Sequence, residues 1–188
     1  WGNVAVPTVQ YTHGMVSCSE FTGVPLITLL EIAGADLKNG KFILAEGGDG
    51  SSMTRTIPMS LILSGEVLVA YGQNGEMLRP ENGYPLRLIV PGYTGVNNIK
   101  YVKRLAFTAQ ETDARIMSHG YRISPPGAKG DPSQPSVQEM TVKSWINGPG
   151  TDGAPLKAGD TQIHGVAFGG MNAVAKVEVS LDGGKTWQ

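Results

Sequence analysis

The amino-acid sequence predicts an α+β protein in two parts, a β-rich region with short helices over residues 1–135 and the start of a β-sandwich over residues 136–188. Glycine occurs 26 times in 188 residues, about twice the roughly 7% of average usage, which favours turns and close backbone approaches over long helices. Up to residue 109, short apolar runs punctuated by Gly, Pro, Asn and Asp alternate with two brief amphipathic segments, the mark of mixed α and β structure. After residue 136, three period-2 segments follow one another across Gly/Asp/Pro-rich turns at the spacing of a sandwich.

The elements follow in order. "TGVPLITLLEIAG" offers Thr22 as a cap, Pro25 near a first helical turn, apolar Leu26, Leu29, Leu30 and Ala33 on one face, and Gly34 as a stop, which is one short helix. "KFILAEGGDG" is a buried strand entering a glycine loop that ends near Asp49, and "IPMSLIL" is a second short helix. Strands are expected at 67–71, 86–90 and 101–109, with "GQNGE" as a turn after the first and Pro-Gly closing the second. "SPPGAKGDPSQPS" (124–136) reads as an interdomain connection. "EMTVKSWI", "TQIHGVAF" and "AVAKVEVSL" are the sandwich segments, and "DGGK" is a hairpin turn near the end of the chain. A hairpin needs a fuller sheet around it, so further sequence beyond Gln188 is expected.

Charge excludes one class of partner. Fifteen Lys and Arg against sixteen Asp and Glu give a net charge of −1 and a pI near 6.3, so there is no electrostatic case for nucleic acid. No stretch approaches the roughly 18 apolar residues of a membrane span. The single cysteine, Cys18, excludes an internal disulfide framework. The three histidines, His13, His119 and His164, have no local zinc spacing. His13 and His119 are candidates to approach a site because imidazole titrates near neutrality, and the plainer reading is a surface histidine. No glycine-flanked serine supports a hydrolase.

One constellation carries chemistry. Arg87 heads the apolar run "RLIVPG", Lys100 follows a glycine-punctuated loop, and Asp49 ends the "EGGD" loop. Two cations beside closely approaching backbone amides suit a phosphate, and a carboxylate suits ring N–H donors, so together they fit a phosphorylated heterocycle. On spacing alone, Arg87 and Lys100 also fit solvated strand-end charges and Asp49 a turn closure. Arg55 in "SMTRTIP" fits either an oxyanion contact or a solvated loop.

"EGGD", "IPM", "VLVAYGQNGEMLRPENGYPLRLIVPG", "IKYVKRL" and "VEVSLDGGKTW", in that order, resemble the core of the sulfite oxidase family of molybdenum enzymes. "HGMVSCSEFTGVPL" and "GEMLRPENGYPLR" are similar to bacterial members, the sulfite dehydrogenases and sulfane dehydrogenase subunits. The resemblance implies a molybdopterin-binding domain over 1–135 (its C-terminal part) and the start of an immunoglobulin-like dimerisation domain over 136–188. It places molybdopterin on Asp49, Arg87 and Lys100, with Asn98 and Ile99 beside the lysine and Asn82 where many members carry a histidine. It puts the substrate-site tyrosine on Tyr121, with Arg55 and His13 as candidate substrate contacts.

The family's metal-ligating cysteine motif does not occur in these residues, so that ligand is expected upstream of Trp1, and Cys18 is expected to be a small buried residue. The resemblance further implies oxidation of sulfite or another reduced sulfur species by oxygen transfer. Electrons would leave to a c-type cytochrome whose haem is carried by a partner, since no Cys-x-x-Cys-His is present. A homodimer or heterotetramer in the periplasm goes with that reading. A nitrate reductase molybdenum domain and a non-catalytic binding module on the same scaffold are the alternatives, and this chain by itself is expected to be catalytically incomplete.

Overall fold

The computed structural model describes residues 18–149 and 158–188, which divide into a unit of Ser19–Glu139 and a second holding Met140–Gln188. In the first unit, β1 (Phe21–Pro25) pairs antiparallel with β4 (Leu68–Gln73), which also pairs with β5 (Glu76–Met77) and β6 (Arg87–Ile89). A second antiparallel sheet has β2 (Phe42–Gly47) between β3 (Thr54–Pro58) and β7 (Val102–Thr108). The helices α1 (Leu26–Ile32) and α2 (Met59–Leu63) each begin directly after a strand-ending proline.

Period-2 alternation decides the burial of β2, whose Ile43 and Ala45 face the core while their neighbours are half-buried. Leu26 and Leu30 of α1 and Met59 and Ile62 of α2 join them, with Val67, Val69, Leu88, Val90 and Ile99 in the same cluster. Fully burying each Leu or Ile contributes about 1.5–3 kcal/mol, so this cluster is what fixes the loops that leave the sheet ends.

Several expectations change in detail. Thr22 is a strand residue of β1, not a helix cap; Leu26 N–H donates to the Val67 carbonyl at 2.7 Å, tying the start of α1 to the run into β4. Gly34 ends the helix as expected, taking a φ of +66°. "IP" belongs to β3, and only Met59 onward is helical. The "GQNGE" turn is an Asn74-Gly75 hairpin with both residues at positive φ, joining Gln73 to Glu76.

Residues 124–136 are not a free connector. Ile123 N–H donates to Pro135 O at 2.9 Å, Ser124 Oγ to Gln134 Oε1 at 2.7 Å, and Val137 N–H to Tyr121 O at 2.9 Å, closing the segment onto the first unit. Prolines and serines that suggest a tether here build a loop whose two ends bond each other. Cys18 is exposed, contrary to expectation, because it precedes β1 and lies outside the sheet.

In the second unit, β8 (Lys143–Gly148) and β9 (His164–Phe168) form a two-stranded antiparallel sheet, with Trp145 edge-on to Phe168 at 6.0 Å between ring centroids. The third expected segment forms no regular strand among the described residues. It does enter the expected hairpin, in which Val179 and Gln188 exchange N–H···O bonds of 2.9 and 3.1 Å.

Candidate cofactor site

The loop between β2 and β3 is folded by its own backbone. Gly47 N–H donates to Met53 O at 2.9 Å, Gly48 N–H to Tyr101 O at 2.8 Å, and Ser52 N–H to Asp49 O at 3.0 Å. Gly47 is required by proximity, since a Cβ there would stand 2.8 Å from the Lys100 carbonyl oxygen and 3.4 Å from Asp49 Oδ1. These constraints carry Asp49 to the loop beginning at Lys100. Ser51 Oγ donates to Asp49 Oδ2 at 2.8 Å, while Asp49 Oδ1 is buried with no partner.

Arg87 opens β6 opposite Ala70 of β4. Its Nη1 donates to the Asn82 carbonyl at 3.2 Å, and its guanidinium carbon lies 5.6 Å from the Phe21 ring centroid. Nε is buried and unpartnered, and Arg87 makes no ion pair among the described residues. Burial pulls its pKa below the ordinary value, with Tyr101 working the other way. A desolvated guanidinium without a carboxylate is an incomplete arrangement that an anion would complete.

Lys100 donates from Nζ to Glu81 O at 2.8 Å and lies 5.3 Å from the Tyr101 ring. Asn98 Oδ1 accepts from Val90 N–H at 2.6 Å, and Ile99 is buried with its carbonyl bonded by Leu88 N–H at 2.8 Å. Through these bonds the 95–100 loop is held to the strand that Arg87 begins. Asp49, Arg87, Asn98, Ile99 and Lys100 line one pocket of about 170 Å³. Asn82 lies instead on a neighbouring polar pocket of about 240 Å³ with Gln73, Glu76 and Arg79, and meets Arg87 only through its carbonyl.

Arg55 and Tyr121 meet elsewhere in the same unit. Arg55, in β3, is fully buried, so it is not the solvated loop residue that the sequence allows. Its Nε donates to Asn97 Oδ1 at 2.9 Å and its Nη2 to Val137 O at 3.1 Å, and its guanidinium carbon stands 5.4 Å from the Tyr121 ring centroid. Nη1 is buried without a partner. Beside them Glu111 accepts from Arg122 Nη2 (3.3 Å), Ser136 Oγ (2.9 Å) and Gln138 Nε2 (2.9 Å).

Asn97, Glu111 and Arg122 escaped sequence reading. Asn97 is half of an Asn-Asn pair whose other member was singled out; nothing local marks the other two. His119 is exposed, with Nδ1 2.8 Å from Ser118 Oγ, and His164 is exposed at the start of β9. His13 lies outside the described residues.

Arg87 and Lys100, with the unpartnered Asp49 Oδ1 and Arg87 Nε, line a glycine-bounded pocket whose chemistry suits an anion that also carries N–H donors. The family model described as oxidoreductase molybdopterin binding domain matches residues 2–116, and that described as Mo-co oxidoreductase dimerisation domain matches residues 134–188. The protein is thus of the molybdopterin oxidoreductase class, and the chain belongs to the sulfite oxidase family.

Among relatives, it is 33% identical to the mitochondrial sulfite oxidase of Macaca fascicularis over 97% of this chain and 36% of that protein. To the NADH nitrate reductase of Solanum lycopersicum it is 32% identical over 98% of this chain and 23% of that protein. The crystal structure of the sulfane dehydrogenase SoxCD from Paracoccus pantotrophus superposes with a TM-score of 0.78 at 36% identity, covering 90% of this chain and 43% of that one. The chain therefore spans less than half the length of each of these relatives.

Proposed function

We propose that this chain supplies a molybdopterin-holding half-site within a protein that oxidises sulfite or a related reduced sulfur species. The observation that carries the proposal is the pair of buried, unpartnered atoms, Asp49 Oδ1 and Arg87 Nε, on the pocket that Lys100 also lines. When bound, the molybdenum cofactor supplies oxygen-atom transfer and two-electron redox chemistry. The residues hold it: Arg87 and Lys100 neutralise its phosphate, Asp49 accepts from its N–H groups, and Asn98 and Ile99 fix the loop that presents Lys100. Asn82 contributes its backbone carbonyl, which fixes Arg87.

Tyr121 would donate a hydrogen bond from its phenol to the metal's oxo group or to the sulfur oxyanion, keeping its proton and not holding the pterin. His13 remains a candidate for the substrate side, whereas Arg55, fully buried against the Tyr121 ring, reaches that side only through the tyrosine. The 36% identity to a sulfane dehydrogenase supports a sulfur substrate; a c-type cytochrome acceptor and a periplasmic setting belong to the same reading through the family resemblance alone. The 32% identity to a nitrate reductase keeps nitrate as the second reading.

The test uses the full-length protein. Arg87→Ala and Lys100→Ala each remove a charge-assisted contact worth about 1.5–3 kcal/mol, so each should lower molybdopterin content, and Asp49→Asn should do so less because it keeps one acceptor oxygen. Full cofactor occupancy in the double variant would sink the assignment. Turnover of sulfite against nitrate by the wild type decides between the two substrates.

A further inference from the structure

Arg55 is the largest fully buried side chain among the described residues, yet it makes no ion pair among them. Two bonds fix its plane. Nε is held by Asn97 Oδ1 at 2.9 Å, and Asn97 is itself braced by donating from Nδ2 to Thr94 Oγ1 at 2.9 Å. Nη2 is held by Val137 O at 3.1 Å, and the N–H of that same Val137 donates to the Tyr121 carbonyl at 2.9 Å. One residue of the 124–139 segment thus ties the arginine and the tyrosine backbone together.

The backbone next to Tyr121 is pinned from the other side as well. Arg122 donates from Nε to Ser118 O at 3.2 Å, from Nη1 to Gln134 O at 2.8 Å and from Nη2 to Glu111 at 3.3 Å. With the main chain held on both sides, the freedom left to Tyr121 is rotation of its ring. A guanidinium 5.4 Å from the ring centroid restrains that rotation through the attraction of a cation to the ring face. Nη1 stays buried without a hydrogen-bond partner, and the Glu111 carboxylate and the Arg122 guanidinium also act on this cation electrostatically.

Resting on the reading that Tyr121 serves the sulfur-oxyanion site, we propose that Arg55 is a positioning residue that aims the Tyr121 phenol, acting through the ring and touching neither substrate nor cofactor. A guanidinium with zero exposure suits that role, because it is covered before any substrate arrives. It also separates Arg55 from the pterin-facing cations: Arg87 and Lys100 line an open pocket, and Arg55 does not line it.

The experiment is a double-mutant cycle in the full-length protein, with Arg55→Met, Arg55→Lys and Tyr121→Phe assayed singly and combined. Arg55→Met and Tyr121→Phe are each expected to lower kcat for sulfite by roughly tenfold with molybdenum content unchanged, and the double variant to be no slower than Tyr121→Phe alone. Arg55→Lys keeps the cation without the planar fork and should restore part of the rate. A second readout is independent of turnover. In protein carrying 3-fluorotyrosine, the fluorine resonance missing from Tyr121→Phe identifies Tyr121, and Arg55→Met should shift it.

Losses that multiply in the double variant, or a Tyr121 resonance that Arg55→Met leaves in place, overturn the proposal. Tyr121→Phe turning over sulfite like the wild type overturns the role of Tyr121 itself, whereas a slow Tyr121→Phe beside a normal Arg55→Met overturns the positioning role alone. Should Arg55→Met fail to fold, Asn97→Ala frees only Nε and enters the same cycle with the same expectations.

Discussion

At Gly83 the backbone takes a φ of +108°, and a Cβ there would stand 2.9 Å from Lys100 Cβ. Lys100 is placed by that close approach and by the bond from its Nζ to Glu81 O. Gly83→Ala should therefore do two things in the full-length protein: strain the left-handed backbone by roughly 1–2 kcal/mol and push Lys100 off the pocket. Gly75, at a φ of +79° with no atom within 4 Å of its would-be Cβ, separates the two effects. Both alanine variants should lose a few degrees of Tm, but only Gly83→Ala should lose molybdopterin; equal cofactor content in the two would remove Gly83 from the site. Asp49, Arg87 and Lys100 were singled out by glycine and proline punctuation in their loops, which by itself also fits solvated strand-end charges; only the family resemblance assigned them to a cofactor. Glu111 and Arg122 were not singled out, because tertiary folding alone gives them partners: Glu111 meets Ser136 and Gln138 only once the segment after Tyr121 has folded back.

At the scale of elements, the apolar run in "KFILAEGG" was enough to place β2, though not to say which of its faces is buried, whereas β3 went unseen. Thr54–Pro58 is five residues long, places Arg55 among its fully buried positions and runs straight into α2, so its local pattern looks like a helix start. The end of the chain presents the converse case. "AVAKVEVSL" alternates well but forms no strand among the described residues, because pattern alone supplies no partner; the hairpin it enters is held by its turn. There the Asp182 carboxylate accepts from Thr186 N–H (2.9 Å), Thr186 Oγ1 (2.7 Å), Ser180 Oγ (2.8 Å) and Lys185 N–H (2.9 Å). These bonds, the Thr186 backbone first, hold its pKa far below the usual carboxylate range. A depressed pKa means stability present above the unfolded value and lost only as pH falls through the folded one. Asp182→Ala should thus lower the hydrogen-exchange protection of the Val179 and Gln188 amides at pH 7, while moving the wild type from pH 7 to pH 5 should leave protection factors, corrected for intrinsic rates, unchanged. Protection untouched by Asp182→Ala would mean that the strands, not the turn, hold the hairpin.

For the molecule as a whole, the open question is assembly, and the second unit is where to look. Ile146, Val177, Leu181 and Trp187 are 55%, 62%, 72% and 60% exposed, and an apolar groove of about 950 Å³ runs between β8–β9 and the terminal hairpin. A two-stranded sheet with that much uncovered apolar surface is marginal in water by itself. Covering each of these large side chains would contribute about 1.5–3 kcal/mol. The match of residues 134–188 to a dimerisation domain points the same way. We therefore expect the full-length protein to sediment at twice its chain mass at micromolar concentration, and to keep that mass as salt is raised. Apolar contacts are not screened, whereas an interface of exposed ion pairs would weaken as the Debye length falls from about 10 Å at 0.1 M to about 3 Å at 1 M. A strictly monomeric protein would refute this assembly; a dimer that dissociates at high salt would place the interface on charged surface elsewhere. Trp187→Ser, which removes a large apolar contact without adding charge, should shift the dimer toward monomer and leave molybdopterin content unaltered, because Trp187 lines the groove of the second unit and the cofactor residues lie in the first.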